Sequence, residues 1–259
     1  MANDTYWLER HSDNVYKKLG KFDKQLQKVY KQAYKSIESQ LKDVWMDMLK
    51  DGEISASAIY KNQRLMSLMD EVDRQLRKLG IYTNENLQLS LLDTYKSTWL
   101  ETDMQLGNVR GSFTLLQEQV AIQVVNASYK NAVYSDRVWS DLSKIRTQIE
   151  KTVVDTAITG QDVKKASRGL AERMGVGLSD AKRITITETS RVLNEACRSR
   201  AEEKGYKSFH ILINDNACKE CQKYKNRHFA INRSDILPIH PWDKCCMIID
   251  LDYDGEIEY

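Results

Sequence analysis

The chain has 259 residues, with 39 Lys or Arg against 37 Asp or Glu, so its formal net charge is only +2. A molecule this close to neutral is not a bulk polyanion binder, and any contact with nucleic acid has to come from a local cluster of charge. Hydrophobic residues at 41% can fill a core, while 29% charge and two prolines suit long amphipathic helices with wet outer faces. No apolar run approaches the ~20 residues that span a bilayer, and the first ten residues lack the basic-then-apolar pattern of an export signal. The expectation is a protein made in the cytosol, where reduced thiols favour metal over disulfide.

From Val15 the apolar residues fall at 15, 19, 22, 26, 29, 33, 37, 41, 44 and 48, steps of three or four that predict one long helix ending near Asp51-Gly52. Ser55 to Leu79 reads as one or two further helices, with Leu65, Leu68, Met69, Val72, Leu76 and Leu79 on one face and Gly80 as a stop. Asn84 is placed to cap the next helix, which carries Leu87, Leu91, Tyr95 and Trp99. A break is expected over Gly107 to Gly111, then helices over Leu116 to Tyr134 and over Val138 to Val153, the latter closing near Gly160. Asp162 to Met174 reads as a short helix closed by Gly175-Val176-Gly177, and Ser179 opens another that runs to Lys204 and stops at Gly205. After Gly205 the texture changes to three strand candidates: Phe209 to Ile213, His228 to Ile231 and Met247 to Leu251. The fold expected is mainly α, with a helical N-terminal region over 1–135. A C-terminal module follows over 136–259, made of helices over 136–204 and a small zinc-stapled α+β end over 205–259.

The staple is read from cysteine spacing. Cys218 and Cys221 are separated by two residues, and His240, Cys245 and Cys246 follow after an 18-residue gap before the histidine. Two thiols at this spacing, then a His and further thiols, are the donor set of a closed tetrahedral zinc site. The fourth ligand is Cys245 or Cys246. Successive side chains of an extended chain point to opposite sides, so the other faces the core. His228 is a spare donor that reads more simply as a strand histidine, and Cys197, well upstream, as a packing residue.

Three other patterns carry chemistry. Lys17, Lys21, Lys24, Lys28, Lys31 and Lys35 form a ridge opposite the apolar face of the first helix. It reads either as a solvated face or as a sequence-independent contact with DNA phosphates. Glu188, Arg191 and Asn194 lie on one side of a helix, where the first two can pair and all three can fix packing. Asp250, Asp252, Asp254 and Gly255 open like a calcium loop, but Tyr259 arrives before the twelfth position, and the same residues also read as a half-buried last strand.

The run RITITETSRVLNEA, Arg183 to Ala196, resembles the R-x-x-x-T-E-x-x-R-x-x-N-x-A helix of Mu F-like head morphogenesis proteins, the minor head proteins of tailed phages. In that family a strand, a CxxC, a second strand and an HPxCRC ending follow. Phe209 to Ile213, Cys218 with Cys221, Arg227 to Ile231, and His240-Pro241 with Cys245 match in the same order. Tyr6 to Arg10 before a Lys-rich helix is also similar to minor head proteins of phages of Gram-positive hosts. The specific motifs cover Trp139 to Leu251. The family ending has Cys three and five residues after His. This chain has Asp243 and Cys245 there, and an extra Cys246, so the register implies Cys245 as fourth ligand with Cys246 or Asp243 as alternatives.

The resemblance implies a non-enzymatic, low-copy structural protein of the virion, inside the capsid near the portal, acting in head assembly and DNA delivery with structural Zn2+. Its partners would be the portal protein and the major capsid or scaffolding protein, and the lysine ridge adds double-stranded DNA, without sequence preference, as a further expected partner. Some relatives carry an enzyme domain after the zinc motif, and the 13 residues beyond Cys246 leave no room for one in this sequence. Two competing classes are a cytosolic zinc-stapled DNA-binding protein and a nuclease. The second lacks a His-Asn-His arrangement or a dense carboxylate cluster beside the cysteines.

Overall fold

The computed structural model describes residues 2–107, 112–213 and 217–259, with 2–9 described by backbone alone. The expected break over 107–111 therefore lies largely outside the described residues, as do the side chains of Tyr6 to Glu9. Helix α1 runs Ala2–Lys50, α2 Ala56–Tyr60, α3 Arg64–Gln105, α4 Leu115–Val125, α5 Tyr134–Ile158 and α6 Val163–Glu203. The last part of the chain holds β1 (Ser208–Leu212), the one-turn α7 (Lys219–Gln222), β2 (His228–Ala230) and β3 (Cys246–Ile249). The architecture is mainly α, with long N-terminal helices and a small strand-bearing end, as the periodicity predicts.

The helical periods bury the faces they predict. In α1 the predicted positions are buried except Val29, where Tyr30 takes the inward place, and Leu26, Ile37, Leu41 and Met48 are at most 1% exposed. Each such aliphatic side chain contributes ~1.5–3 kcal/mol relative to exposure. Helix α1 ends where Gly52, at φ 95°, turns the chain left-handed.

The boundaries of three helices differ from those expected. Helix α3 passes through Gly80 and Asn84 without stopping. A Cβ on Gly80 would lie 2.3 Å from the Trp139 ring, so this glycine serves close packing against α5. Helix α6 likewise runs through 175–177, and a Cβ on Gly177 would lie 2.4 Å from Ile145. Helix α4 stops at Val125 rather than Tyr134: the Asn126 side chain donates to the Ile122 carbonyl, and Lys130 and Asn131 adopt positive φ.

Packing groups the chain into two compact units. One contains 1–21, 87–134 and 183–259; the other contains 22–86 and 135–182. The linear division at 135/136 falls beside one seam, between 134 and 135, while the other seams lie within α1, α3 and α6. The first unit holds the sheet, in order β2-β1-β3, antiparallel throughout. Its buried face carries Phe209, Ile211, Phe229 and Met247, packed with Cys197 and Ala201 of α6. Glu258 adds a parallel bridge to β2, donating its N–H to the His228 carbonyl and accepting the Ala230 N–H, both at 2.9 Å.

Candidate metal centre

Cys218 caps the first turn of α7, and its sulfur accepts the Cys221 N–H at 3.5 Å. That single turn brings the two sulfurs to 3.5 Å. His240 approaches from the segment before β3, with Nε2 3.1 Å from Cys218 Sγ and 3.2 Å from Cys221 Sγ. Its Nδ1–H donates to the Pro241 carbonyl at 2.7 Å. With Nδ1 the donor, Nε2 keeps its lone pair toward the sulfurs. Zinc bonds of ~2.3 Å to sulfur and ~2.0 Å to nitrogen let one ion bridge donors at these separations. These three residues could hold a metal ion, and so could Cys221, Asp243 and Cys245, a second group of donors within 4.8 Å that shares the buried Cys221.

The metal-free electrostatics fit such a role. Hydrogen bonds from the Cys221 backbone and side chain lower the Cys218 thiol to about 7. Burial pushes the Cys221 thiol up to about 11 and raises Cys245 further. A bound cation offsets that penalty, because it stabilises the thiolate burial disfavours.

The alternatives for the fourth ligand separate by position. Cys246 is buried in a small apolar cluster with Val15 and Leu193 and joins neither donor group. Asp243 is 2% exposed, and both its oxygens accept backbone N–H groups, from Cys245 at 2.9 Å and Ile239 at 2.7 Å. It closes the turn that presents His240 and Cys245. Cys197 is 1% exposed in the core, with its thiol raised to about 12 by burial. Beside the sulfurs lies an open cavity of about 650 Å³, whose rim includes Ser12, Asp13, Tyr16, Trp242 and Lys244.

The polar helix face behind this centre does more than pair within itself. Glu188 is 1% exposed and accepts from Arg191 Nε at 2.7 Å. Arg191 also donates to the carbonyls of Val124 and Val125, at 2.9 and 3.2 Å, satisfying the last carbonyls of α4. Asn194 donates to the Cys245 carbonyl at 3.0 Å and accepts the Met247 N–H at 2.8 Å. It thus pairs, like a neighbouring strand, with the backbone flanking Cys246. Thr187 accepts the Trp242 N–H at 3.1 Å. These cross-links were missed in the sequence because they join residues more than fifty positions apart.

The remaining expected sites are placed differently. His228 belongs to neither cysteine group and pairs with Asp250. The calcium-loop opening does not form: Asp250 is taken by histidines, Asp252 and Asp254 join no donor group, and the chain leaves β3 at Ile249 with Leu251 41% exposed. Lys17, Lys21, Lys24, Lys28, Lys31 and Lys35 are all exposed, whereas Lys18, Lys42 and Lys50 of the same helix form ion pairs. Among the described residues no helix is long and apolar enough to cross a membrane. Comparison with protein-family models, curated proteins and solved structures gives no match.

Proposed function

We propose that the chain is an architectural minor head protein of a tailed phage, held inside the capsid beside the portal, with one structural Zn2+ on Cys218, Cys221, His240 and Cys245. The observation that carries this reading is the Asn194 bridge. It links the helix resembling the Mu F-like motif to the segment bearing Cys245, so the motif residues and the metal ligands act as one construction. Glu188, Arg191 and Asn194 are all committed to buried structural bonds, which suits a scaffold rather than a reacting site. Asp243, whose Oδ1 lies 4.0 Å from Cys221 Sγ, has both oxygens engaged by backbone and is poorly placed to act as a general base. Cys245 is favoured as fourth ligand because Cys246 is buried in the small apolar cluster with Val15 and Leu193.

The role in head assembly and DNA delivery rests on the resemblance. Partners of this reading are the portal and the major capsid or scaffolding protein. The exposed lysine ridge of α1 favours an added, sequence-independent contact with packaged DNA, and equally keeps alive a cytosolic zinc-stapled DNA-binding protein. Purified particles decide between them. The proposal expects the chain at low copy number with density beside the portal. A chain absent from particles, but bound tightly and salt-sensitively to DNA in the cytosol, would contradict it.

A further inference from the structure

The sheet carries a second cluster that shares no residue with the cysteine centre. The register sets His210 of β1 opposite His228 of β2, so both imidazoles rise from the same face. Asp250 follows β3 on the other side of β1 and reaches over that face. Its Oδ1 lies 2.7 Å from His210 Nδ1 and its Oδ2 2.9 Å from His228 Nδ1. We propose that His210, His228 and Asp250 form a second metal site, for a divalent first-row transition ion.

The donor chemistry supports this. One atom from each residue lies within 4.8 Å of the others, a spread that metal bonds of ~2.0–2.2 Å to nitrogen and oxygen can bridge. Two imidazoles with one carboxylate select zinc, nickel, iron or copper over calcium or magnesium, which prefer all-oxygen shells. Burial pushes the Asp250 carboxyl up, but hydrogen bonds from His210, His228 and Ser208 outweigh it and hold it below the usual range, so it is an anion ready to ligate.

The site is also preorganised. The Asp250 N–H donates to the Ser208 carbonyl at 3.1 Å, and the Asp250 side chain is only 4% exposed. The Tyr253 ring stacks on His228 at 3.6 Å and 6°, fixing that imidazole's plane. The His210 side chain is 36% exposed, which leaves one side of the cluster to water or an external ligand. An ion here would clamp β1, β2 and the segment after β3, on the sheet face opposite the Phe209 core.

The test uses the full chain with its cysteine centre already loaded with zinc, titrated with Ni2+ alone. The proposal expects about one further equivalent, without a thiolate-to-metal charge-transfer band, and a ~10-fold or greater loss of nickel affinity in His210→Gln and in His228→Gln. No nickel bound beyond the zinc, or unchanged affinity in both variants, would overturn it. If neither variant folds, wild-type histidine NMR decides. Paramagnetic broadening confined to His210 and His228 supports the site, and its absence there overturns it.

Discussion

Asn194 sits toward the C-terminal end of α6, yet its side-chain amide serves chain about fifty residues away. Its NH2 group supplies the Cys245 carbonyl and its oxygen takes the Met247 N–H, so the strand that ends the candidate metal-binding segment is held by a side chain. Asn194→Ala should cost ~1–3 kcal/mol in urea unfolding, because a buried N–H and carbonyl lose their partner. It should also weaken zinc retention ~10-fold, as expected when support behind a ligand is lost. An unchanged zinc affinity would detach the motif helix from the metal centre. That Glu188, Arg191 and Asn194 share a helix face was legible from their spacing. Their acceptors at Val124, Val125 and Cys245 were not, because local periodicity says nothing about partners so distant in sequence. His11 gives a second residue-scale test. Burial, aided by Lys18, lowers it from 6.5 to about 4, and its Nε2 lies 2.9 Å from Thr98 Oγ1. The unfolded chain takes up this proton at a higher pH than the folded one. The contribution is therefore present above pH 6.5 and is lost as pH falls toward 4. The urea midpoint of the wild type should drop more between pH 7 and pH 5 than that of His11→Gln.

At the scale of elements, glycine is where sequence reasoning divides. Gly52, Gly160 and Gly205 take positive φ and end helices as their positions suggest. Gly80 and Gly177 look the same in the sequence but lie within helices, because the Trp139 ring and Ile145 need the space a Cβ would fill. A missing side chain signals either a left-handed turn or a close approach, and the neighbour that decides is invisible along the chain. Gly80→Ala should therefore destabilise by ~1–3 kcal/mol through overpacking against Trp139. Gly20→Ala, in α1 with nothing within 4 Å of its Cβ, should stabilise by ~0.5–1 kcal/mol. Equal effects in thermal or urea unfolding would refute the packing explanation. The lysine ridge of α1 is tested by changing Lys21, Lys24, Lys28 and Lys31 to Gln, which removes charge while keeping helix propensity. A phosphate contact predicts a flatter slope of log affinity for DNA against log salt, equal across unrelated sequences. An unchanged slope would leave the ridge a solvated face.

For the whole molecule, the long helices and the three short strands were legible because apolar period and strand texture report burial directly. The cysteine and histidine donors were legible from spacing alone. The orientation of Cys245 against Cys246 needed the fold, since it depends on a turn closed by Asp243 and a backbone held by Asn194. The central claim is that the C-terminal module is stapled by zinc on Cys218, Cys221, His240 and Cys245. The most direct measurement is zinc released per chain as a thiol-specific mercurial titrates protein purified without chelator, for wild type, Cys245→Ser and Cys246→Ser. The account predicts about one thiol-bound zinc per chain in the wild type, the stoichiometry of a single four-ligand site, with strong loss in Cys245→Ser and retention in Cys246→Ser. A wild-type chain that is fully folded and releases no zinc, or a Cys245→Ser chain that holds zinc as tightly as wild type, would contradict it.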